Sequence, residues 1–265
     1  TRTMLTAIVA GAILMPNEPN FNPRAGRELV FADEFDRGTP PDRDEWVYEV
    51  GKIRNREEQF YTEGRAENAR IENGMLVLEA RKEPFEGSEI TSASLQSRRS
   101  WTHVYVEVRA RFPTGRGTWP AIWMLGDSIR KHGTPDYVGW PRCGEIDIME
   151  NVGFDPEVIH FTVHNDAYNH VRGTHKSATV TVPRAWETFH TYGLDWRPDR
   201  LDFYFNDRKV FTYANDGKGE ASWPYDKPHF LILNLAIGGT WGGSKGVDDA
   251  IFPCRFEIEY VRVYR

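Results

Sequence analysis

The sequence predicts an all-β fold, an antiparallel sandwich or barrel, and three observations favour it. Polar and apolar residues alternate in short segments from Arg27 onward, which is typical of strands with one face in water. Turn residues such as Asn and Gly separate these segments at short intervals. No window longer than about ten residues keeps a helical period. Many short strands with regular turns indicate an antiparallel architecture.

The clearest strand predictions, in chain order, are residues 75–80, 103–112, 201–211 and 256–264. The first follows Asn73-Gly74, a dipeptide typical of hairpin turns. The third contains Asn206-Asp207 in its middle and predicts a hairpin of two strands. The second and fourth alternate polar and apolar residues throughout, so each predicts a strand with one buried face.

The chain is interpreted as one domain behind an N-terminal leader. The apolar run from Met4 to Met15 follows Arg2, is too short to span a bilayer, and contains small residues of the kind found at signal cleavage sites. Residues 1–26 are therefore predicted to be a leader or N-terminal extension, with an extra apolar strand as the alternative. No repeat or Pro/Ser-rich linker follows, so residues 27–265 form a single predicted domain, and the leader predicts a secreted, periplasmic or cell-surface protein.

Composition excludes some classes of partner. The formal net charge is −6 and Lys and Arg do not cluster, so we expect no nucleic-acid partner. No segment after the leader is apolar enough for a membrane span. Nine Trp residues are notable, because an indole offers a flat face to a sugar ring and an N–H to its hydroxyls, although core packing is the alternative. Cys143 and Cys254 could pair or remain buried thiols.

The densest acidic motif is residues 144–151, GEIDIMEN. On a strand, Glu145 and Asp147 point to one face, and a regular strand would turn Glu150 to the other. One extra residue in a β-bulge around Ile148-Met149 would return Glu150 to the acidic face. Three neighbouring carboxylates repel one another, so stability alone does not favour this arrangement.

Glycoside hydrolysis has a use for such a row of acids. A retaining enzyme needs two carboxyl groups ~5–5.5 Å apart, one as nucleophile and one as acid and then base. A third carboxyl group between them can hydrogen-bond the nucleophile and help to separate the pKa values of the pair. A solvated acidic strand face is the alternative interpretation.

The motif Glu145–Glu150 resembles the catalytic signature of family 16 glycoside hydrolases, in the laminarinase-like branch that carries a bulged strand. The resemblance runs from about Leu29 to Arg265, and its further segments are residues 30–35 (VFADEF), 55–62 (NREEQFYT), 117–125 (GTWPAIWML), 139–144 (GWPRCG), 233–241 (LNLAIGGTW) and 260–264 (YVRVY). It implies a β-jelly-roll sandwich of two curved antiparallel sheets with a concave substrate cleft.

The resemblance also implies an activity. Glu145 would be the nucleophile, Asp147 its assisting acid and Glu150 the general acid/base of a retaining endo-β-glucanase. The enzyme would hydrolyse internal β-1,3 or mixed β-1,3/1,4 linkages of a β-glucan polysaccharide or oligosaccharide by double displacement. We expect it to be a monomer.

The resemblance further implies a set of substrate-binding residues, namely Asn55, Arg98, Trp119, Trp123, Trp140, His164 and Trp241. Trp119 and Trp140 would be platforms at the glycone side, and His164 would lie near the acid/base at the aglycone side. The alternative for Trp123 is a role in the core, and the alternative for Arg98 is an exposed surface residue without a binding role. A zinc site of His164 with His170 or His175 lacks the usual ligand spacing.

The chemistry requires no cofactor, but the resemblance implies a structural Ca²⁺ ion. Its ligands would be Glu34, the carbonyl of Gly74 and Glu259. Hard oxygen ligands of this kind suit calcium. Glu259 stands where the family usually has Asp, which departs from the pattern.

Two other functions stay open at this point. The same fold cleaves galactans in agarases, carrageenases and porphyranases, and sulfated substrates would favour basic cleft residues such as Arg116, Arg142, Arg172 and Lys176. A non-catalytic β-glucan-binding protein is the second alternative, although such proteins typically lack the catalytic glutamates.

Overall fold

The computed structural model describes residues 22–265, and the all-β prediction is confirmed. The strands are β1 (Leu29–Asp33), β2 (Trp46–Tyr48), β3 (Phe60–Tyr61), β4 (Ala69–Glu72), β5 (Met75–Phe85), β6 (Ser88–Ser92), β7 (Ser94–Trp101), β8 (Tyr105–Arg111), β9 (Thr118–Gly126), β10 (Glu145–Glu150), β11 (Val158–His164), β12 (Lys176–Thr181), β13 (His190–Trp196), β14 (Arg200–Phe205), β15 (Arg208–Ala214), β16 (His229–Ile237) and β17 (Cys254–Tyr264).

Helical structure in the described part of the chain is limited to short 3₁₀ segments, at Asp127–Lys131, His170–Arg172, Ala185–Glu187 and Asp249–Ile251. None of the helices between residues 22 and 265 is both long and apolar enough to cross a membrane.

The strands form two sheets. The larger has the order β15-β14-β13-β8-β17-β5-β6-β3, with β1 also paired to β17 and β4 to β5. The smaller has the order β12-β11-β10-β9-β16-β7-β2, which places the acidic strand β10 inside the sheet. All pairs of named strands are antiparallel except β3 with β6.

The core lies between the sheets. Leu76 and Val106 of the larger sheet and Ile146 and Leu233 of the smaller sheet are fully buried in one apolar cluster. Because side chains alternate along each strand, the residues between them point to the outer faces. The outer face of the smaller sheet therefore receives Glu145 and Asp147.

Both predicted turns have the backbone that their residues favour. Asn73 and Gly74 have φ values of 53° and 71°, and Asn206 and Asp207 have φ values of 48° and 62°. Positive φ at both central residues is the type I′ geometry that matches the twist of a hairpin. The hairpins β4–β5 and β14–β15 follow directly.

The last residues of the predicted leader or N-terminal extension, 22–26, pack on the domain predicted for residues 27–265. Residues 1–21, which hold the apolar run, lie outside the described residues. Residues 22–26 belong to the folded unit, because Arg24 donates to Asp207 and to the buried Glu107 on the larger sheet. Arg27 also donates a hydrogen bond to Asp195 on the same sheet.

The two cysteines do not pair. Cys143 precedes β10 of the smaller sheet, whereas Cys254 begins β17 of the larger one, and both are free and buried. Burial raises the pKa of each thiol to about 12, which makes the thiols inert at neutral pH.

Candidate active site

The predicted β-bulge is present in β10. Asp147 and Met149 face consecutive residues of β9, so Ile148 is the extra residue. Ile148 and Met149 are both fully buried in the core, and the register then returns Glu150 to the outer face. The bulge thus places the three carboxylates on one side of the strand.

Burial and mutual repulsion dominate the electrostatics of this row. Burial, followed by the charge of Asp147, raises the pKa of Glu145 well above its ordinary value. The pKa of Asp147 is also raised well above its ordinary value, by burial and then by Glu150. Burial and then Glu145 raise the pKa of Glu150 to about 8. The charge of Asp147 opposes ionisation of Glu145, so the pair holds a proton that isolated carboxyls would release.

Two of the predicted tryptophans donate hydrogen bonds to this row. Trp140 Nε1 donates to Glu145 Oε2 at 2.6 Å, and Trp119 Nε1 donates to Glu150 Oε1 at 3.1 Å. Each N–H lowers the pKa of its carboxyl, against the effect of burial. The two rings thus contact opposite ends of the row, and their place at the glycone side stays a prediction.

A glycine-rich loop, residues 238–243, holds Trp241 against Trp119. The two rings meet edge to face at 5.6 Å, and His160 contacts Trp241 in the same manner at 4.8 Å. Gly239 has φ +83°, and a Cβ there would lie 3.2 Å from the Trp119 ring and 2.9 Å from Glu57. Glycine is therefore required for the loop to approach Trp119 this closely.

Trp123 lies on the outer face next to Asp147 but is only 8% exposed. Its Nε1 donates to Asn234 Oδ1 at 2.8 Å, and the guanidinium of Arg54 covers its ring at 4.9 Å. Glu49 pairs with that guanidinium. Trp123 thus packs beneath Arg54 in a small apolar cluster that is separate from the main core. It is buried like a core residue, yet it lies on the face that carries the acids.

Asn55 lies in a left-handed conformation, with φ 54°, and its Nδ2 donates to Glu57 Oε2 at 3.0 Å. This contact orients the amide and leaves its carbonyl oxygen for another donor. Gln59 Nε2 holds the other oxygen of Glu57 at 3.0 Å. Glu57 was not singled out from the sequence, although Asn55, Glu57 and Gln59 stand at every second position, the spacing of one strand face.

His164 is not where it was predicted. It pairs with Glu145 in the ladder, and its Nε2 lies 3.9 Å from Glu145 Oε1 and 3.4 Å from Asp147 Oδ2. The residue opposite Glu150 is His160. The prediction that His164 lies near the acid/base is therefore wrong, because the antiparallel register places it at the nucleophile end of β10.

Arg98 also departs from its prediction. Its side chain is exposed and donates through Nε to the carbonyl of Arg43 at 2.6 Å. It lies on β7, which β9 and β16 separate from β10. Arg98 is thus a surface arginine of the outer strands, which was its alternative interpretation.

The predicted calcium ligands do not fit an ion as they stand. Glu34 accepts from Arg262 through both carboxylate oxygens, at 2.8 and 3.0 Å. Glu259 accepts from Arg109 at 2.6 Å, and Gly74 lies in the β4–β5 turn. Calcium would require these oxygens for itself. The two carboxylates pair with arginines instead, and the calcium ion stays a prediction.

Between residues 22 and 265, the His, Cys, Asp and Glu side chains that converge as potential metal ligands are Glu145, Asp147 and His164, with ligand atoms within 4.8 Å of one another. The rings of His170 and His175 pack at 5.2 and 5.6 Å from His164. Their ring nitrogens do not add ligand atoms to this group.

Comparisons with known proteins agree with this geometry. Residues 56–262 match the family model described as glycosyl hydrolases family 16. The chain is 47% identical to a β-glucanase of Rhodothermus marinus over 247 residues, which cover 90% of this chain and 85% of the relative.

Two solved structures are similar over nearly the same range. The laminarinase from Rhodothermus marinus has a TM-score of 0.86 at 47% identity, covering 90% of this chain and 97% of that one. SCLam, a non-specific endo-β-1,3(4)-glucanase, has a TM-score of 0.84 at 44% identity, covering 91% and 92%. These likenesses bear out the jelly-roll sandwich and its concave cleft.

Proposed function

The chain belongs to glycosyl hydrolases family 16, and from that premise we propose that it is a retaining endo-β-glucanase. Its substrate is a β-1,3-glucan of the laminarin kind or a mixed β-1,3/1,4-glucan, cleaved at internal linkages. The observation that carries this proposal is the bulged strand β10, which places three buried carboxyl groups on one outer face.

In the first step, Glu145 attacks the anomeric carbon and forms a glycosyl ester. The Trp140 N–H stabilises the charged form of this carboxylate, and Asp147 shares its proton with it. Glu150 has a pKa of about 8, so it is protonated at neutral pH and can protonate the leaving oxygen.

In the second step, Glu150 acts as a base towards water. The charge of Glu145 is the second cause of the raised pKa of Glu150. Forming the ester removes that charge, so the pKa of Glu150 falls and its carboxylate can accept a proton from the attacking water. The same residue therefore serves as acid and then as base.

Chemical rescue tests these roles. Glu150→Ala should keep activity on an aryl β-glycoside with an activated leaving group, which needs little protonation, while losing activity on laminarin. Added azide should restore turnover and yield a β-glycosyl azide, because azide attacks the ester without a base. Glu145→Gln should be inactive on both substrates, with or without azide.

Equal losses for both variants on both substrates would show that the roles are assigned wrongly. An α-glycosyl azide would contradict a double displacement, since two inversions retain the β configuration.

Product analysis on laminarin, barley mixed-linkage glucan, agarose and carrageenan separates the substrate classes. We expect a series of oligosaccharides from the two glucans and none from the galactans. Two of the basic residues that a sulfated galactan would favour already have partners, since Arg116 donates to the carbonyl of Lys245 and Lys176 lies over the Tyr168 ring. Binding to laminarin without cleavage would instead favour a glucan-binding protein.

The proposal includes a place of action and an assembly state. A polysaccharide substrate and the apolar run near the start of the sequence support a secreted, periplasmic or cell-surface enzyme. We propose a monomer, which sedimentation equilibrium would check.

A further inference from the structure

The protonation of His164 is set by a backbone contact that lies outside the row of acids. His164 Nδ1 accepts a hydrogen bond from the backbone N–H of His170 at 3.3 Å. An imidazole nitrogen that accepts cannot carry a proton, so the proton of the neutral ring lies on Nε2. Burial lowers the pKa of His164, which favours this neutral ring.

The Nε2–H faces the middle carboxyl of the row. Asp147 Oδ2 lies 3.4 Å away, is buried, and has no hydrogen-bond partner in this structure. Glu145 Oε1 is farther from the same nitrogen, at 3.9 Å. Hydrogen bonds in an unliganded active site are often this long and shorten when substrate binds.

We infer that His164 is a positioning residue for the nucleophile, which donates its Nε2–H to Asp147 Oδ2 in a tautomer that the His170 backbone N–H selects. This inference rests on the proposed function of Glu145 as the nucleophile. With Oδ2 as an acceptor, the proton of Asp147 lies on Oδ1, from which it can be donated to Glu145.

The same contact argues against a metal ion on His164. A metal on Nε2 would require the ring proton on Nδ1, and metal-bound histidines normally donate that proton to an acceptor. Here Nδ1 faces the N–H of His170, a second donor. The three converging atoms therefore fit the proposed relay from His164 through Asp147 to Glu145 better than a metal site.

The loop that carries the His170 N–H is held by its own side chains. Asn169 caps the 3₁₀ segment by accepting from the Arg172 N–H, and its Nδ2 donates to the carbonyl of Asn165 at 3.0 Å. Asn165 is fully buried and donates to the carbonyl of Ser222 at 3.2 Å. The position of the N–H is therefore fixed by the fold.

One pair of variants tests the donor. His164→Leu removes the Nε2–H, whereas His164→Gln keeps an N–H donor at a similar distance from the backbone. We expect His164→Leu to lose about threefold to tenfold in kcat, as for a hydrogen bond between neutral groups, with KM within about twofold. The loss should be equal on laminarin and on an activated aryl glycoside, because it concerns the nucleophile. His164→Gln should recover most of it, and a Gln variant as slow as the Leu variant would overturn the inference.

A second pair tests the backbone contact and does not depend on folding of the His164 variants. His170 is the first residue after the cap Asn169, whose φ of −154° and ψ of 164° tolerate a following proline. His170→Pro and His170→Ala both remove the ring that packs on Trp140, but only the proline removes the N–H. We expect the proline variant to have a kcat about threefold to tenfold below the alanine variant, at equal melting temperature. Equal kcat values would overturn the inference.

The outcomes separate this inference from the proposed function. A wild-type protein that cleaves no β-glucan would contradict the function itself. An active wild type whose His164→Leu variant keeps more than half of its kcat would contradict only the role of His164. His175→Leu is the matched control, since it removes a ring 5.6 Å from His164 without removing a donor to Asp147, and it should keep kcat within about twofold.

Discussion

Three buried carboxyl groups without a cationic partner are unfavourable for the stability of the folded chain. The partners of Glu145 and Glu150 are the indole N–H groups of Trp140 and Trp119, and His164 is neutral. An N–H dipole compensates a buried charge less than a guanidinium does, so the pKa values of all three acids stay raised. Glu150 therefore keeps its proton at neutral pH, as acid catalysis requires.

Glu150→Gln should stabilise the protein while it abolishes activity on laminarin. An ordinary Glu has a pKa near 4.5, and Glu150 has a folded-state pKa of about 8. Between these values the folded state binds more protons, so the free energy of unfolding falls as pH rises through this window. At pH 7 the variant should gain on the order of 1–3 kcal/mol, since each pKa unit corresponds to ~1.4 kcal/mol.

Melting temperatures of both proteins at pH 5, 6, 7 and 8 measure this effect. The gain of the variant should increase with pH and be absent for the exposed control Glu89→Gln. A constant difference across the range would show that Glu150 does not titrate there. In the wild type, kcat/KM should decline as pH rises through about 8, where the general acid loses its proton.

At the scale of single residues, the sequence predicted the catalytic acids better than it predicted the hydrogen bonds of individual side chains. The acids follow from their spacing on β10, because period two and one bulge leave few alternatives. The hydrogen bond between His164 and His170 depends on the loop between them, and no periodic pattern specifies a loop. For the same reason Arg98 could be matched by its sequence context, while its side chain points to the turn before β2.

At the scale of elements, strands and hairpins were predictable where local residues require them. Asn73-Gly74 and Asn206-Asp207 adopt the positive φ angles that their types favour. The predicted strand at 103–112 begins two residues late, because His103 has φ 53° and ends the preceding turn. The order of strands in the sheets depends on pairs far apart in sequence, which alternation alone does not reveal.

The glycine-rich loop at 238–243 offers an element-scale prediction. Gly239→Ala places a Cβ 3.2 Å from the Trp119 ring and 2.9 Å from Glu57, in a backbone with φ +83°. Trp119 should shift and weaken its hydrogen bond to Glu150. We expect at least a tenfold loss of kcat/KM on laminarin, comparable to losing a hydrogen bond to a charged group.

Gly217→Ala is the matched control. Gly217 has φ +74°, and a Cβ there meets nothing within 4 Å. It should cost about 1–2 kcal/mol of stability through backbone strain alone and leave kcat/KM unchanged. If both variants lose the same stability and neither loses activity, the contact with Trp119 has no role in the site.

At the scale of the whole molecule, the two sheets differ in whether their acidic side chains pair with arginines. On the larger sheet every one of the buried acids Glu79, Glu107, Asp195 and Asp202 pairs with at least one arginine. On the smaller sheet, no arginine among the described residues pairs with Glu145, Asp147 or Glu150 of β10. Arginine partners secure the fold on one face, and their absence leaves titratable groups on the other. The sequence could not assign these pairs, because Arg24 and Glu107 are 83 positions apart.

Because the arginine pairs and the carboxylate row lie on different sheets, we expect Arg24 on the larger sheet to affect stability without affecting catalysis. Arg24 is 27% exposed and Glu107 is 3% exposed, so Arg24→Ala leaves a buried carboxylate with only the hydroxyls of Tyr105 and Tyr260. Removing one partner of a fully buried pair costs ~3–5 kcal/mol, and the partial exposure of Arg24 reduces the expected loss to about 1–3 kcal/mol. The cleft lies on the other sheet, so kcat and KM on laminarin should not change.

Urea unfolding and kinetics on the same samples measure both quantities. The control is Arg37→Ala, whose pair with Asp36 is 94% and 69% exposed and should contribute less than about 0.5 kcal/mol. A fall in kcat of the Arg24 variant would mean that the larger sheet positions the carboxylate row. An unchanged free energy of unfolding would mean that residues 22–26 do not stabilise the domain, and that the predicted boundary at residue 27 describes the folded unit better.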